Sequence, residues 1–262
     1  MDRGDDSAMS TMLNKVPQIT LFFWIIKVLA TTVGETAADL LSTRLNLGLT
    51  ITSYVMNAVF VAALIFQISA NRYVPTIYWL TVVLISVVGT LISDNLVDGM
   101  GISLVTTSVV FAAILAVVFA LWHRSERTLS VHTITTTRRE MYYWAAILFT
   151  FAMGTSVGDL IAETIDLGYG PTAIVFAGMI GLVAFVHFVL KADAIITFWI
   201  AYILTRPLGA SIGDYLAKPV IAGGLGWGTI TTSLVFLSAI LLLVVALTMR
   251  VPNRVEQAGA AA

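Results

Sequence analysis

The sequence predicts an all-α integral membrane protein with eight transmembrane helices, arranged as four parallel two-helix repeats with pseudo-symmetry about the membrane normal. Three observations predict it. The 262-residue chain is 58% hydrophobic and only 11% charged, with a mean hydropathy of +0.94, far from soluble-domain usage. Apolar stretches long enough to span a hydrocarbon core of about 30 Å recur along its whole length. Four tryptophans also stand in one register with four glycines and four aspartates. Trp24, Gly34 and Asp39 recur as Trp79, Gly89 and Asp94, as Trp144, Gly154 and Asp159, and as Trp199, Gly209 and Asp214. Every copy reads W-x9-G-x4-D, with copies 55, 65 and 55 residues apart, and repetition on this scale sets the architecture.

Taken in order, residues 1–16 form a polar, aspartate-rich tail, and the apolar segment after Pro17 is too long for the core of a cleavable signal. The first half, 17–122, holds repeats 1 and 2, with spans near 18–42, 49–70, 76–97 and 102–122. A polar linker at 123–140 accounts for most of the longer middle spacing. The second half, 141–250, holds repeats 3 and 4, with spans near 141–164, 171–190, 194–217 and 228–249. A tail follows at 251–262. Within each repeat the two spans meet at a glycine-containing turn: Leu47-Gly48, Gly99-Met100-Gly101, Leu167-Gly168-Tyr169-Gly170 and Leu225-Gly226-Trp227-Gly228. Glycines of this kind stop one helix and let the next begin.

Two crossings per repeat make all four copies enter from the same side, which is parallel rather than inverted repetition. Of the 14 Lys and Arg residues, ten lie at the termini or in the linkers between repeats: Arg3, Lys15, Arg72, Arg124, Arg127, Arg138, Arg139, Lys191, Arg250 and Arg254. Arg44 and Lys218 lie on the glycine-turn side, and Lys27 and Arg206 lie inside spans. The positive-inside rule puts both termini in the cytoplasm.

Each aspartate follows its tryptophan by fifteen residues, roughly 22 Å of helix at about 1.5 Å per residue. With Trp24, Trp79, Trp144 and Trp199 as interfacial anchors in an aromatic belt, the aspartates fall in the outer third of the hydrocarbon layer. A small residue precedes each one, and Gly34/Ala38, Gly89/Ser93, Gly154/Gly158 and Gly209/Gly213 are small-xxx-small motifs that let membrane helices approach closely. The expected arrangement is a central bundle of odd helices packed through Gly34, Gly89, Gly154 and Gly209, with even helices outside.

A carboxylate at a membrane-helix centre costs about 2.5–3.5 kcal/mol on insertion scales. Any one aspartate reads most simply as a helix cap. Four in register, with Glu35, Asp98 and Glu163 one turn away on the same faces, read as a cation- or proton-binding site. Asp214 has no acidic neighbour of this kind. Lys27 and Arg206 have no basic equivalents in the other repeats and are expected to be internal counter-ions, Arg206 to one of the aspartates. Pro207 removes a backbone donor beside it. The histidines lack ligand-like spacing, the linker reads as a solvated loop, and the chain has no cysteine, so thiolate metal sites are excluded.

The repeat resembles a family of bacterial membrane proteins built from four tandem copies of a two-helix "repeat of unknown function", each with a characteristic tryptophan. Lys15-Val16-Pro17 and the run from Lys27 to Asp39 (KVLATTVGETAAD) are similar to that family's first repeat, and the resemblance extends over residues 15–250. It implies an eight-helix protein of the bacterial inner membrane and no settled activity.

From the residues, the leading expectation is a secondary transporter: a proton-coupled exporter of a hard divalent cation such as Mn²⁺. Carboxylates suit such ions, and Asp39, Asp94, Asp159 and Asp214 are the expected metal ligands. The alternatives are a proton-coupled transporter of a small organic cation and a non-transport scaffold. No nucleophile–base pair, phosphate loop or metal-histidine motif marks an enzyme, and no cofactor is expected beyond the transported cation. The expected partners are the lipid bilayer and a small cation or proton. No basic cluster points to nucleic acid, and the small-residue stripes suit either a monomer or a homodimer.

Overall fold

The computed structural model describes residues 14–260, with side chains described through residue 249. Its long helices are α1 (Leu21–Asp39), α2 (Gly48–Ser69), α3 (Pro75–Asp94), α4 (Leu104–Glu126), α5 (Thr137–Asp159), α6 (Tyr169–Phe188), α7 (Ala194–Ala217) and α8 (Gly228–Ala260). No strand occurs among the described residues. Eight helical segments are long and apolar enough to cross a membrane; this is a multi-pass membrane protein.

Helix starts follow local chemistry. The Thr20, Ser103 and Thr136 hydroxyls accept from the backbone N–H of Phe23, Thr106 and Arg139, and the Asp193 carboxylate accepts from both Ile195 and Ile196. Each satisfies donors that the first turn leaves unpaired. α3 begins on Pro75, whose missing N–H is no loss at that position. At the entry to each even helix stands a glycine with φ of +72° to +80°: Gly48, Gly101, Gly168 and Gly228. Only glycine adopts that region without strain.

The four odd helices close a ring. α1 packs on α3, α3 on α5, α5 on α7, and α7 returns to α1. Each even helix packs principally on the odd helix of the following repeat: α2 on α3, α4 on α5, α6 on α7 and α8 on α1. The odd spans are 56–67% buried and the even spans 11–22%, so the inner and outer roles read from the sequence hold.

The repeated glycines are the sockets of this ring. A Cβ built on Gly34, Gly89, Gly154 or Gly209 would lie 2.6 Å from the Cβ of Ser86, Phe151, Arg206 or Thr31 respectively. Those four knobs occupy one register, seven residues after each tryptophan. Each repeat therefore plugs the glycine of the repeat before it, and Thr31 of the first plugs the last.

Three features differ from expectation. The tryptophans are not lipid-facing anchors: Trp79, Trp144 and Trp199 are buried and Trp24 is half-buried. An aromatic residue precedes each, and its ring packs on the tryptophan of the next repeat. Phe23 lies 5.6 Å from Trp79, Tyr78 5.6 Å from Trp144, Tyr143 6.3 Å from Trp199 and Phe198 5.6 Å from Trp24. The aromatic belt is thus turned inward as a floor that closes one end of the ring.

The 123–140 linker is also not simply solvated. α4 runs on to Glu126, α5 starts at Thr137, and between them Val131 and Ile134 are buried. The linker lies on the aromatic floor, where the Leu129 carbonyl accepts from the Trp199 indole at 2.9 Å. Lys15 ties the chain's entry to the same place, donating to Glu140 at 2.8 Å and to the Ile68 carbonyl at 2.8 Å. Finally, α8 continues through 251–260, where a tail was expected. Residues 1–13 of the N-terminal tail, with Arg3, lie outside the described residues.

Candidate functional site

Every fourth residue of each odd helix, counted from the aromatic before its tryptophan, shares one register with its counterparts in the other repeats and marks a layer of the ring. Above the aromatic floor comes the layer of Lys27, Val82, Ile147 and Tyr202, and then the knobs Thr31, Ser86, Phe151 and Arg206. Next come Glu35, Thr90, Thr155 and Ala210, then the four aspartates, and last Thr43, Asp98, Glu163 and Lys218. A strict step of four outruns the 3.6-residue turn of an α-helix. In the first three repeats the α-helix gives way to a π-helical turn directly after the aspartate: Leu40–Arg44, Asn95–Gly99 and Leu160–Thr164. The wider turn keeps the residue four positions on at the same face, and such turns are frequent at functional sites. Repeat 4 has none; its helix ends at Ala217 and Lys218 is extended.

Arg206 is the centre of the middle layers. Its side chain is fully buried and reaches across the ring. Nη1 donates to the Thr31 carbonyl at 2.9 Å, and Nη2 donates to Glu35 at 3.0 Å, to Thr155 at 2.7 Å and to Thr90. One guanidinium thereby joins the same layer of the other three repeats. The Pro207 ring beside it packs against Gly154 and Gly158 within an unbroken helix.

Above Arg206 lies a cavity of about 80 Å³ lined by Glu35, Asp39, Asp94, Asp98, Asp159 and Glu163, together with Ser93, Val97, Leu104 and Lys218. Burial is graded along it. Glu35 at the base is buried, Asp39, Asp94 and Asp159 are half-buried, and Asp98 and Glu163 are exposed at the glycine-turn mouth. Six carboxylates share this space with one ammonium, so their summed field attracts cations.

Six of the seven acids singled out in the sequence therefore line one cavity. Asp214 stands apart, buried, with Lys218 Nζ 3.6 Å away. Lys218 also bonds Glu163 at 3.2 Å and the Tyr169 hydroxyl at 2.7 Å. Burial alone would draw this ammonium down, but Asp214, the Tyr169 hydroxyl and Glu163 outweigh it and hold it well above the ordinary lysine value.

Three expectations change. The partner of Arg206 is Glu35, not an aspartate, and Lys27 is no counter-ion: its Nζ lies 3.7 Å over the Phe151 ring and 4.1 Å over the Tyr202 ring, without a hydrogen-bond partner. The four aspartates also do not form a ready metal cage. Among the described residues no three Asp, Glu, His or Cys side chains stand in metal-holding geometry, and Asp214 is turned to Lys218. Sequence reasoning passed over Thr90, Thr155 and Lys218 as site residues. The signal was present, since Lys218 aligns with Asp98 and Glu163 in the outermost layer.

Four matches to the family described as Repeat of Unknown Function (DUF347) fall on residues 22–73, 77–128, 142–193 and 197–251. The chain belongs to this family. Each DUF347 match opens two residues before a repeat's tryptophan, so the family unit and the W-x9-G-x4-D register coincide. No curated protein and no solved structure matches the chain. The DUF347 description carries no activity.

Proposed function

We propose that this protein is a proton-coupled secondary transporter of a small hard cation, of which Mn²⁺ is the type, with the carboxylate cavity as the place where cation and protons compete. The observation that carries this reading is the convergence of six carboxylates on one small cavity at one end of a closed helical ring. A volume of about 80 Å³ holds roughly three waters at about 30 Å³ each. That suits an ion with part of its hydration shell and falls well short of the ~300–1,000 Å³ of sites for drug-sized ligands. Water between carboxylate and ion also fits side chains that do not meet at a single point. Carboxylates exchange protons readily, so cation entry and proton release are linked at one site.

An organic cation is less well supported. The adjoining recess of about 200 Å³, between repeats 1 and 4, is lined by Arg44 and Lys218 beside Asp39, which repel positive charge. On the positive-inside reading the termini are cytoplasmic and the cavity opens to the outside of a bacterial inner membrane.

The test is the metal content, by elemental mass spectrometry, of cells expressing the wild type or Asp159→Asn during exposure to a panel of divalent metals. Selective loss or gain of one metal, abolished in the variant at equal expression, is the expected result, and its sign gives the direction of transport. The same metal content with either protein under every metal would sink the reading.

A further inference from the structure

Building on the proton-coupled reading, we propose that Lys27 is the proton-carrying group of the ring axis, handing protons between the carboxylate cavity and a set of buried tyrosine hydroxyls that leads to the tryptophan end. Lys27 is fully buried, and its amine makes no hydrogen bond. It lies over two aromatic faces, Phe151 at 3.7 Å and Tyr202 at 4.1 Å, and the Arg206 guanidinium stands 6.0 Å from the same Phe151 ring. A purely structural lysine finds an acid or carbonyl for its three donors, as Lys15 does with Glu140 and Ile68 in this same molecule. The other repeats place Val82, Ile147 and Tyr202 at this position, so ring packing does not require an amine there.

The groups on either side of Lys27 are those a relay needs. Toward the cavity, Glu35 lines the base and shares Arg206 with the Thr90 and Thr155 hydroxyls. The Ser86 hydroxyl, one layer from Lys27, has no partner. Toward the tryptophan end, Tyr202, Tyr143 and Tyr78 are all buried. The Tyr143 and Tyr78 hydroxyls are hydrogen-bonded to each other, and the buried Tyr202 hydroxyl has no hydrogen-bond partner. Tyr73, at the entrance to α3, packs its ring 5.6 Å from Tyr78.

The steps balance. A carboxylic acid in the cavity gives its proton, through the intervening hydroxyls, to the Lys27 amine, leaving a carboxylate and an ammonium. The ammonium then passes a proton to the tyrosine chain, where each hydroxyl accepts one proton as it releases another. Arg206 cannot substitute as carrier, because a guanidinium keeps its proton whereas an amine can give it up.

The experiment uses the full-length protein in phosphatidylethanolamine–phosphatidylglycerol liposomes with a trapped pH-sensitive dye, driven by a Mn²⁺ gradient. Mn²⁺ binding to the detergent-purified protein is measured in parallel. Wild type is expected to move protons against Mn²⁺. Lys27→Met, Lys27→Arg and Tyr143→Phe should each lower proton flux by about 100-fold or more, the scale of removing a positioned proton-transfer group, with Mn²⁺ binding unchanged. Lys27→Arg is decisive, since it keeps the charge over the rings and loses the exchangeable proton. Wild-type proton flux in that variant would show that charge alone suffices and would overturn the relay, leaving the transport reading intact. Mn²⁺ movement without protons in wild type would overturn it equally, and movement of neither would remove the transport reading with it.

Discussion

Replacing Arg206 with leucine tests the central layer most directly. Leucine keeps the Cβ and Cγ that fill the socket at Gly154, so the ring's knob survives and only the guanidinium is lost. Glu35, with 8% of its side chain exposed, then keeps a negative charge without its partner at 3.0 Å. Breaking a buried pair from one side costs about 3–5 kcal/mol. The Thr31 carbonyl, which accepts from Arg206, loses a donor worth about 1 kcal/mol. The sum, about 4–6 kcal/mol, is a large share of a typical stability of about 5–15 kcal/mol. Removing both charges in Arg206→Leu/Glu35→Leu should recover at least about 2 kcal/mol of this, since apolar replacement of a whole buried pair is often neutral. The assay is denaturant unfolding in detergent micelles, followed by tryptophan fluorescence. Arg206→Leu within about 1 kcal/mol of wild type, where the unpaired charge demands about 3 or more, would refute the reasoning. So would a double variant no more stable than the single one.

The sockets give a sharper contrast in the same assay. Gly89→Ala, meeting Phe151 at 2.6 Å, should destabilise by about 1–3 kcal/mol. Gly158→Ala, whose Cβ would rest 3.5 Å from Pro207, should be neutral or stabilise by up to about 1 kcal/mol as a helical glycine is removed. The inward aromatic floor predicts that Trp79→Ala costs about 3–5 kcal/mol. Trp227→Ala, at a half-exposed turn position, should stay within about 0.5 kcal/mol. For Lys218 the folded value is raised, so its contribution is complete below the unfolded lysine value and is lost only as pH climbs through the folded one. Melting curves of wild type and Lys218→Met should therefore differ by the same amount at pH 6 and pH 8, whereas a gap that closes between those values would show that Lys218 is not held protonated.

By itself the sequence determined the number of helices, their division into inner and outer sets, the parallel sense of the repeats and the shared register of the aspartates. These follow from apolar length, small-residue stripes and a constant fifteen-residue interval along one helix, all properties of the chain taken locally. Asp39, Asp94 and Asp159 could be read as neighbours because equal registers in parallel copies reach equal heights. Which copy a side chain meets is another matter. That Ser86 enters the socket of Gly34, that Arg206 passes the aspartates to pair with Glu35, and that Lys218 takes Asp214 away from the cavity all depend on the order in which the ring closes. The inward turn of Trp79, Trp144 and Trp199 depends on it too, since an indole at membrane-interface depth satisfies the same hydropathy whether it faces lipid or the ring before it. Helix and repeat are short-range consequences of composition. Pairing between copies is a long-range one, decided only when all four sockets are filled at once.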